Sequence, residues 1–310
     1  MTYLSLIPLR QVSLNKRKEG ILCVSSFFLH FFMYGILLIA INTNAYGEWA
    51  YNMALSIKAY SKIPVCLLTD NNGLSSLPDK NNFDEIINVD LQDVLHEGKM
   101  NPFFLKTNIY KYSPFEKTLY LDVDGFCVRD FTGIIESLGD FQIHEVRRYK
   151  KEDHARCSMV WTKNAGLTLR DLWQAYNLPD DAVYPEYNSS FIFFRKTEKN
   201  AAYFEKVRYN YINKRSAYKD IGTFYPDEMA FNITSAEMCH YSSIPGYRPI
   251  YFTWEGAVND LGYIQKNYYF CGMAGGYQKG KMVRLYEGEM KRMGSLCYKF
   301  NQRAKIFFQK

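Results

Sequence analysis

Residues 117–124 read Lys-Thr-Leu-Tyr-Leu-Asp-Val-Asp, and no other stretch says as much about the architecture. The apolar run up to Leu121 is typical of a buried strand, and Asp122 and Asp124 follow at its carboxyl end. In α/β proteins, ligands bind at that edge of the sheet. Neighbouring carboxylates repel unless a cation lies between them, and hard oxygen donors suit Mg²⁺ or Mn²⁺. We therefore predict a divalent metal site at Asp122 and Asp124, with a plain acidic turn as the alternative.

Strand and helix patterns alternate through the first part of the chain and loosen after Asp130. Strands that alternate with helices form a mostly parallel sheet. The sequence therefore predicts an α/β fold, a mixed and mostly parallel central sheet flanked by helices. The predicted strands are 36–42, 65–69, 85–89, 118–121 and 191–194; the predicted helices are 46–60, 104–112, 167–176, 198–213 and one that starts at Pro226; residues 71–82 are predicted as a loop and those beyond about 240 as irregular.

Composition excludes some classes of protein. A hydrophobic content of 47% in 310 residues is ample for a folded core, so disorder is not expected. The seven cysteines are scattered and form no CxxC pair, which argues against a zinc module and favours free thiols in a reducing compartment. The net charge of +6 is compatible with a polyanionic acceptor or an acidic membrane surface and demonstrates neither.

The N-terminal region has two interpretations. Residues 21–42 are apolar and follow several basic residues, a pattern that resembles a membrane anchor. However, residues 35–42 read as the first strand, which leaves an apolar run short for a membrane span. We predict an apolar appendage over 1–34, either an anchor or an extension ahead of a start at Met33. A catalytic domain over 35–265 and a closing segment with a basic tail over 266–310 complete the predicted organisation of a cytoplasmic protein, with peripheral membrane association left open.

Five segments in consistent order resemble a known family. They are INTNAYGEWAYNMALSIKAY (41–60), IPVCLLTD (63–70), FFLKTNIYKYSPFEKTLYLDVDGFCVRDF (103–131), YNSSFIFFR (187–195) and PDEMAFN (226–232). Together they resemble the retaining GT-A glycosyltransferases of family 8, of the glycogenin and lipopolysaccharide galactosyltransferase type, over about residues 35–235. The resemblance implies a GT-A fold and metal-dependent transfer of a sugar, with retention, from a nucleoside-diphosphate sugar such as a UDP-sugar to a hydroxyl acceptor.

The resemblance also implies a nucleotide site. Tyr46 would stack on the base, Lys106 would approach the ribose or diphosphate, and Asp124 would be the direct, bidentate metal ligand. A solvated helix lysine is the alternative for Lys106, and a turn residue is the alternative for Asp70. The full implied nucleotide-binding set is Asn42, Thr43, Asn44, Tyr46, Asp70, Lys106 and Asp122, and Thr43 or Asn44 would also serve as a helix cap.

A donor-sugar site and the catalytic residues are implied in the same way. The resemblance places Asn188, Ser189 and Asp227 beside the donor sugar, and Asn188, Asp227 and Glu228 in catalysis. Two positions depart from the family pattern, because Ser190 replaces the usual glycine and Glu228 replaces the usual glutamine. Glu228 would act as a nucleophile or base, or would simply complement the N-terminus of its helix.

The largest departure lies near the C-terminus. The family closes with a His-x-x-Gly-x-x-Lys-Pro-Trp segment, and the nearest run here, residues 269–281, has no histidine. Its Lys279 or Lys281 would grip the diphosphate. Cys271 is a poor match for Mg²⁺, because thiolate is a soft ligand. His240, another carboxylate and water stay open as the third metal ligand.

Two other classes of function remain as alternatives. A sugar-nucleotide nucleotidyltransferase would need a Gly-rich, Arg- or Lys-bearing loop after the first strand, and TNAYGEW is not one. A catalytically degenerate sugar-binding protein is the non-enzyme alternative. The acceptor is either a saccharide, such as a lipopolysaccharide core, or hydroxymethylated phage DNA held by the basic runs 147–151 and 206–215. We favour solvated surface faces as the interpretation of those basic runs.

Overall fold

The computed structural model describes residues 33–153, 169–214, 226–252, 260–273 and 281–299. Its strands are β1 Tyr34–Ala40, β2 Val65–Thr69, β3 Glu85–Asn88, β4 Leu95–His96, β5 Lys99–Met100, β6 Lys117–Leu121, β7 Gly125–Cys127, β8 Phe141–Lys150, β9 Val183–Arg195, β10 Ile250–Phe252 and β11 Phe270–Gly272. Its helices are α1 Asn44–Tyr60, α2 Asn71–Ser75, α3 Leu91–Val94, α4 Pro102–Lys106, α5 Ile109–Tyr112, α6 Thr132–Ile135, α7 Leu169–Tyr176, α8 Glu198–Asn213, α9 Asp227–Met238, α10 Leu261–Asn267 and α11 Lys281–Arg292.

A 6-stranded sheet in the order β3-β2-β1-β6-β9-β8 forms the centre. Strands β3, β2, β1 and β6 pair in parallel, and β9 runs antiparallel to both β6 and β8. Alternate residues of β1 enter different cores, Leu37 and Ile39 on one face and Ile36 and Leu38 on the other. This sheet confirms the predicted mixed, mostly parallel α/β architecture.

Each face of the sheet is covered by different elements. Helices α8 and α9 supply apolar side chains to one core, including Tyr203, Phe204 and Phe231. Helix α1 supplies Trp49 and Met53 to the other core, together with the small sheet β10-β11-β7. The six-stranded sheet is therefore buried on both faces. Polar side chains that bind a ligand are expected at the ends of its strands.

Several predicted boundaries differ from the structure. The helix predicted over 104–112 is split into α4 and α5, and the predicted loop over 71–82 begins with the short helix α2. In the described residues beyond 240, the prediction of irregular structure is wrong, since β10 and β11 pair with each other and β11 pairs with β7. Helix α11 is tied to α1, where Asn52 Nδ2 donates to the Tyr286 hydroxyl at 2.7 Å.

The N-terminal prediction falls outside the described residues, because residues 1–32 are not among them. In the part of the chain that is described, no helix has the length and apolar character needed to cross a membrane. The anchor interpretation of residues 21–42 therefore stays a prediction, apart from residues 34–40, which form β1 as a strand of the central sheet.

Gly73 allows the first two strand ends to lie close together. A Cβ at this position would lie 2.1 Å from the Ala40 carbonyl oxygen and 2.4 Å from Thr69 Oγ1. We expect Gly73→Ala to lower the free energy of unfolding by about 1–3 kcal/mol, because a backbone oxygen of a central strand cannot move aside. Urea unfolding measures the loss. Gly133→Ala is the matched control, since a Cβ there meets open space in helix α6.

Candidate active site at the carboxyl edge of the sheet

A buried lysine organises the carboxyl edge of the sheet. Lys106 ends helix α4 and is 4% exposed, and its Nζ lies 2.8 Å from Asp122 Oδ1 and 3.3 Å from Asp227 Oδ2. The same Nζ donates to Ser189 Oγ at 3.1 Å. One ammonium thus joins three segments that are far apart in the sequence.

The charge of Lys106 is held in place by these carboxylates. Burial alone would lower the pKa of Lys106, but the charges of Asp122 and Asp227 outweigh it and raise the pKa well above its ordinary value. The ammonium is also 5.3 Å from the Tyr120 ring centroid. The alternative of a solvated helix lysine is therefore wrong, because the side chain points into the strand ends.

Asp122 is the first residue after β6, and donors surround it. The Tyr120 hydroxyl donates to Oδ1 at 2.5 Å, and the Ser190 hydroxyl donates to Oδ2 at 2.7 Å. The Asp122 side chain remains 26% exposed. It is therefore oriented by protein groups and still open to a ligand on one side.

Asp124 and Tyr46 lie near Asp122. Burial raises the pKa of Tyr46, and the charges of Asp124 and Asp122 raise it further, so the phenol of α1 lies within electrostatic range of both carboxylates. The Asp124 carbonyl accepts a hydrogen bond from Met273 N at 2.6 Å, just after β11. The two predicted metal-binding carboxylates and the predicted base-stacking tyrosine are thus brought together.

The donor set fits a divalent cation that also binds substrate oxygens. Carboxylate oxygens are the ligands that Mg²⁺ and Mn²⁺ prefer, and Mg²⁺ is commonly held by one or two carboxylates, with phosphate and water completing its shell. In the described ranges, no group of three or more His, Cys, Asp or Glu side chains is arranged to hold a metal ion. Asp122 and Asp124 would therefore supply the protein's share of such a shell.

The turn between β1 and α1 holds the other predicted nucleotide residues. Asp70, at the end of β2, accepts from Asn42 N through Oδ2 at 3.0 Å and caps α2 by accepting from Gly73 N at 2.8 Å. Thr43 is the N-cap of α1 by backbone position, but its side chain makes no cap hydrogen bond. Its buried Oγ1 finds no partner among the described residues, and Asn44 is exposed. Asp70 thus has a structural role here, whereas the Thr43 hydroxyl is available to hydrogen-bond a ligand.

A bulge in β9 delivers the predicted sugar-site residues. Ile143 of β8 pairs with Ile192, yet the next residue, His144, pairs with Asn188. Residues 189–191 therefore have no partner on β8, and such bulges re-aim side chains. This is why Ser189 reaches Lys106, while Ser190 reaches Asp122.

Asp227 and Glu228 begin helix α9, as predicted. Asp227 is fully buried, and its carboxylate interacts with the Lys106 ammonium, at 3.3 Å from Oδ2, and with Ser189. Burial raises the pKa of Asp227, and Lys106 opposes that shift. Burial and then the charge of Asp227 raise the pKa of Glu228 to about 8. The pair therefore combines a carboxylate beside an ammonium with a carboxyl that is protonated near neutral pH.

The Glu228 shift predicts a dependence of stability on pH. The pKa is about 8 in the folded protein against 4.5 for the free group, so the folded state holds the extra proton and loses stability as pH rises from about 5 to 8. We compare the free energy of unfolding of Glu228→Gln with that of wild type at each pH. The difference should favour the variant by about 2–4 kcal/mol more at pH 8.5 than at pH 5. Urea unfolding at both values measures this.

The matched control for this prediction is Glu136→Gln at an exposed position. Its difference from wild type should be the same at pH 5 and pH 8.5. An equal gain for both variants, or no gain for Glu228→Gln, would show that Glu228 is ionised in the folded protein at neutral pH.

Several predicted residues do not lie at this site or are not described. His240 is not a metal ligand candidate, because its Nε2 is 2.8 Å from Asn200 Oδ1 and its ring stacks on Phe141. Cys271 lies fully buried in β11, and burial raises the pKa of its thiol to about 12. Lys279 lies outside the described residues. Lys281 begins α11, and its side chain is not described.

Tyr120 and His144 are two residues of this edge that the sequence did not indicate. Tyr120 reads as one of several apolar residues of a strand, so nothing marked its hydroxyl. His144 is fully buried, and neither ring nitrogen has a hydrogen-bond partner within the described ranges. Burial lowers the pKa of His144 to about 3, so the ring opposite Asn188 is neutral.

Several side chains of the basic runs pair with carboxylates of the same chain, whereas Arg147 and Lys150 are exposed. Arg148 donates to Glu145 at 2.6 Å, and Lys151 pairs with Asp180 at 2.5 Å. In the second run, which the structure describes up to residue 214, Lys206 and Lys214 pair with Glu237, and Arg208 pairs with Asp93 at 3.0 Å. The faces that were predicted to be solvated therefore carry ion pairs between side chains of this chain.

Comparison with solved structures gives the fold. Galactosyltransferase LgtC, solved in complex with donor and acceptor sugar analogs, matches with a TM-score of 0.51 and 14% sequence identity over 84% of this chain and 96% of that chain. An active-site mutant of LgtC matches with a TM-score of 0.50 and 14% identity over 84% of this chain and 95% of its own. This chain has the GT-A fold, as predicted.

A third solved structure has the same fold in a longer protein. The bifunctional glycosyltransferase WbbM, in its apo form, matches with a TM-score of 0.50 and 12% identity over 78% of this chain. This chain spans 46% of the WbbM chain. No protein-family model matches, and no curated protein matches at a significant level.

Proposed function

We propose that this protein is a retaining glycosyltransferase that moves a sugar from a UDP-sugar to a saccharide hydroxyl and depends on Mn²⁺ or Mg²⁺. The observation that carries the proposal is the buried Lys106 ammonium, which lies within 3.3 Å of both Asp122 and Asp227 at the carboxyl edge of a GT-A sheet. A structural protein gains little from such a cluster, because burying charges costs more than an apolar core of the same volume.

The nucleotide end of the donor fits the first turn. Tyr46 supplies an aromatic face close to Asp122 and Asp124, and Thr43 Oγ1, which has no partner among the described residues, supplies a hydrogen-bonding group. Asn42 and Asp70 hold the turn in place through their 3.0 Å hydrogen bond. We propose that Tyr46 stacks on the uracil base, and that Thr43 and Asn44 contact the nucleoside.

Asp122 and Asp124 would hold the divalent cation. When bound, the cation neutralises the charge that develops on the departing diphosphate. Lys106 adds a fixed positive charge beside Asp122, and it cannot lose its proton near neutral pH because its pKa is raised. The Lys106 ammonium would thus stay charged at the site without any change in protonation.

The sugar end of the donor fits Asn188, Ser189 and Asp227. Asp227 lies fully buried at the start of α9, and a fixed carboxylate there would bind sugar hydroxyls and stabilise positive charge on an oxocarbenium-like sugar. Glu228, with its pKa of about 8, would hold or release a proton close to the reacting centre. Attack on the face that the nucleotide leaves gives retention.

A saccharide is the acceptor that the structure favours over DNA. The two basic runs that would contact DNA phosphates are paired with Glu145, Asp180, Glu237 and Asp93. Binding a polyanion there would require breaking these ion pairs. Lack of binding to hydroxymethylated duplex DNA at 50 mM salt is therefore expected.

Hydrolysis of donors tests the proposal most directly. A panel of UDP-sugars is incubated with the protein and Mn²⁺, UDP release is measured, and the anomer of the first sugar formed is read by proton NMR. We expect one or a few UDP-sugars to release UDP only with a divalent cation, and to give the donor's own anomer first. An inverted first product would overturn retention.

Two results would favour the alternatives. Tight metal-dependent binding of UDP without turnover of any donor would indicate a degenerate sugar-binding protein. Release of pyrophosphate from a nucleoside triphosphate and a sugar phosphate would indicate a nucleotidyltransferase. If the protein binds neither UDP nor Mn²⁺, the proposed function fails.

A further inference from the structure

Ser190 uses all of its polar groups at the candidate site. Its carbonyl accepts from Asp122 N at 3.0 Å, and its hydroxyl donates to Asp122 Oδ2 at 2.7 Å. Its own N–H donates to Asn188 Oδ1 at 3.0 Å. This one residue thus connects the first carboxylate of the Asp-Val-Asp segment to a residue proposed to contact the donor sugar.

The donors around Asp122 decide which of its oxygens remains available. A carboxylate oxygen accepts about two hydrogen bonds. Oδ1 already accepts from the Tyr120 hydroxyl at 2.5 Å and lies 2.8 Å from the Lys106 ammonium. Among the described residues, Oδ2 has one donor, the Ser190 hydroxyl. Oδ2 is therefore the Asp122 oxygen with more room for a cation.

We infer that the Ser190 hydroxyl is a positioning group that fixes Asp122 Oδ2 for a single bond to the divalent cation. Without the hydroxyl, Oδ2 loses the one hydrogen bond that the described residues give it, and the carboxylate is held mainly from the Oδ1 side. Hydrogen-bond partners of a metal-binding carboxylate fix its orientation, and losing one typically costs 10–100-fold in affinity. The inference rests on the proposed function, because the cation is the one proposed to bind with the donor.

The hydroxyl can be removed without disturbing the backbone. Ser190→Ala keeps the carbonyl contact with Asp122 N and the N–H contact with Asn188, so the variant isolates the side-chain hydrogen bond. Ser190→Thr keeps a hydroxyl at the same place. Ser190→Cys nearly conserves the volume and substitutes a weak donor, and it provides a second test if Ser190→Ala folds poorly.

Mn²⁺ binding in the presence of UDP tests the inference. Free Mn²⁺ is followed by electron paramagnetic resonance, and urea unfolding without metal checks that each variant is folded. We expect Ser190→Ala to bind Mn²⁺ about 10–100-fold more weakly than wild type. Ser190→Cys should weaken binding in the same direction, and Ser190→Thr should stay close to wild type. Ser137→Ala removes an exposed serine far along the chain and should bind as wild type does.

The outcomes separate this inference from the proposed function. If folded Ser190→Ala binds Mn²⁺ as tightly as wild type, or more tightly, the hydroxyl does not position Asp122 and the inference fails while the proposed function stands. If Ser190→Thr falls as far as Ser190→Ala, packing rather than the hydroxyl is responsible, and the inference also fails. If wild type binds neither UDP nor Mn²⁺, the proposed function itself is wrong.

Discussion

Replacing Lys106 with Met is expected to destabilise the protein and to abolish most of its activity. The substitution removes the ammonium 2.8 Å from Asp122 and 3.3 Å from Asp227, and Asp227 is fully buried. Removing one partner of a buried ion pair leaves an uncompensated charge and costs about 3–5 kcal/mol. Urea unfolding measures this cost. Turnover of the preferred UDP-sugar should fall about 10²–10³-fold, as when a preorganised charge is removed from an active site.

A double variant separates the two effects. The double variant Lys106→Met/Asp227→Asn also removes the buried Asp227 carboxylate that Lys106→Met leaves unpaired. Much of the lost stability should therefore return, while activity stays low. Lys111→Met is the matched control, because Lys111 is 52% exposed and its buried partner Asp93 keeps an ion pair with Arg208 at 3.0 Å. We therefore expect Lys111→Met to cost about 0–1 kcal/mol, as is usual for a lysine at the surface. If Lys106→Met costs no more than Lys111→Met, the buried cluster does not carry the charge that the proposed function requires.

The sequence predicted the core of the fold because local patterns specify it. The apolar runs of β1, β2 and β6 alternate with the amphipathic pattern of α1, and parallel strands bring their carboxyl ends to one edge. Asp122, Asp124 and Tyr46 could be placed together on that basis. In contrast, β10 and β11 are three residues each, and their pairing joins distant segments, so no local pattern marks them.

The electrostatics of the site could not be read from the sequence. Lys106 looks like any lysine at the end of a helix, and only the packing of α4 over the strand ends makes it a buried partner of two aspartates. His240 is a second example. The sequence leaves it open as a metal ligand beside another carboxylate or water, but Asn200 and Phe141, both far away in sequence, hold it in the core.

The bulge in β9 is a further feature that the sequence alone did not predict. Period-two alternation would place Ser190 and Asn188 on one face of the sheet and Ser189 on the other. The register shift between Ile143 and His144 breaks that rule, so that Ser189 reaches Lys106 and Ser190 reaches Asp122 at the same site. The Asn-Ser-Ser segment suggested a sugar pocket by resemblance, whereas its hydrogen bonds depend on a bulge that no local pattern predicts.

Asp124→Asn is expected to remove metal-dependent activity without lowering stability. The substitution keeps the shape of the side chain and removes one negative charge close to Tyr46, whose pKa that charge raises. Turnover of the preferred donor should fall by about 10³-fold, since the direct ligand of the proposed cation is lost. Mn²⁺-dependent binding of UDP, measured by calorimetry, should be lost in parallel.

The contrast with Lys106→Met makes Asp124→Asn decisive for the proposed function. A residue that merely supports the fold loses stability and activity together, whereas a ligand for a cation loses activity alone. Asp130→Asn is the matched control, because Asp130 is exposed, lies six residues further along and accepts hydrogen bonds from the N–H and the hydroxyl of Thr132. It should keep wild-type UDP binding. If Asp124→Asn also binds UDP with Mn²⁺ as wild type does, Asp124 is not the cation's ligand. The Asp-Val-Asp segment would then be the acidic turn that its sequence alone allows.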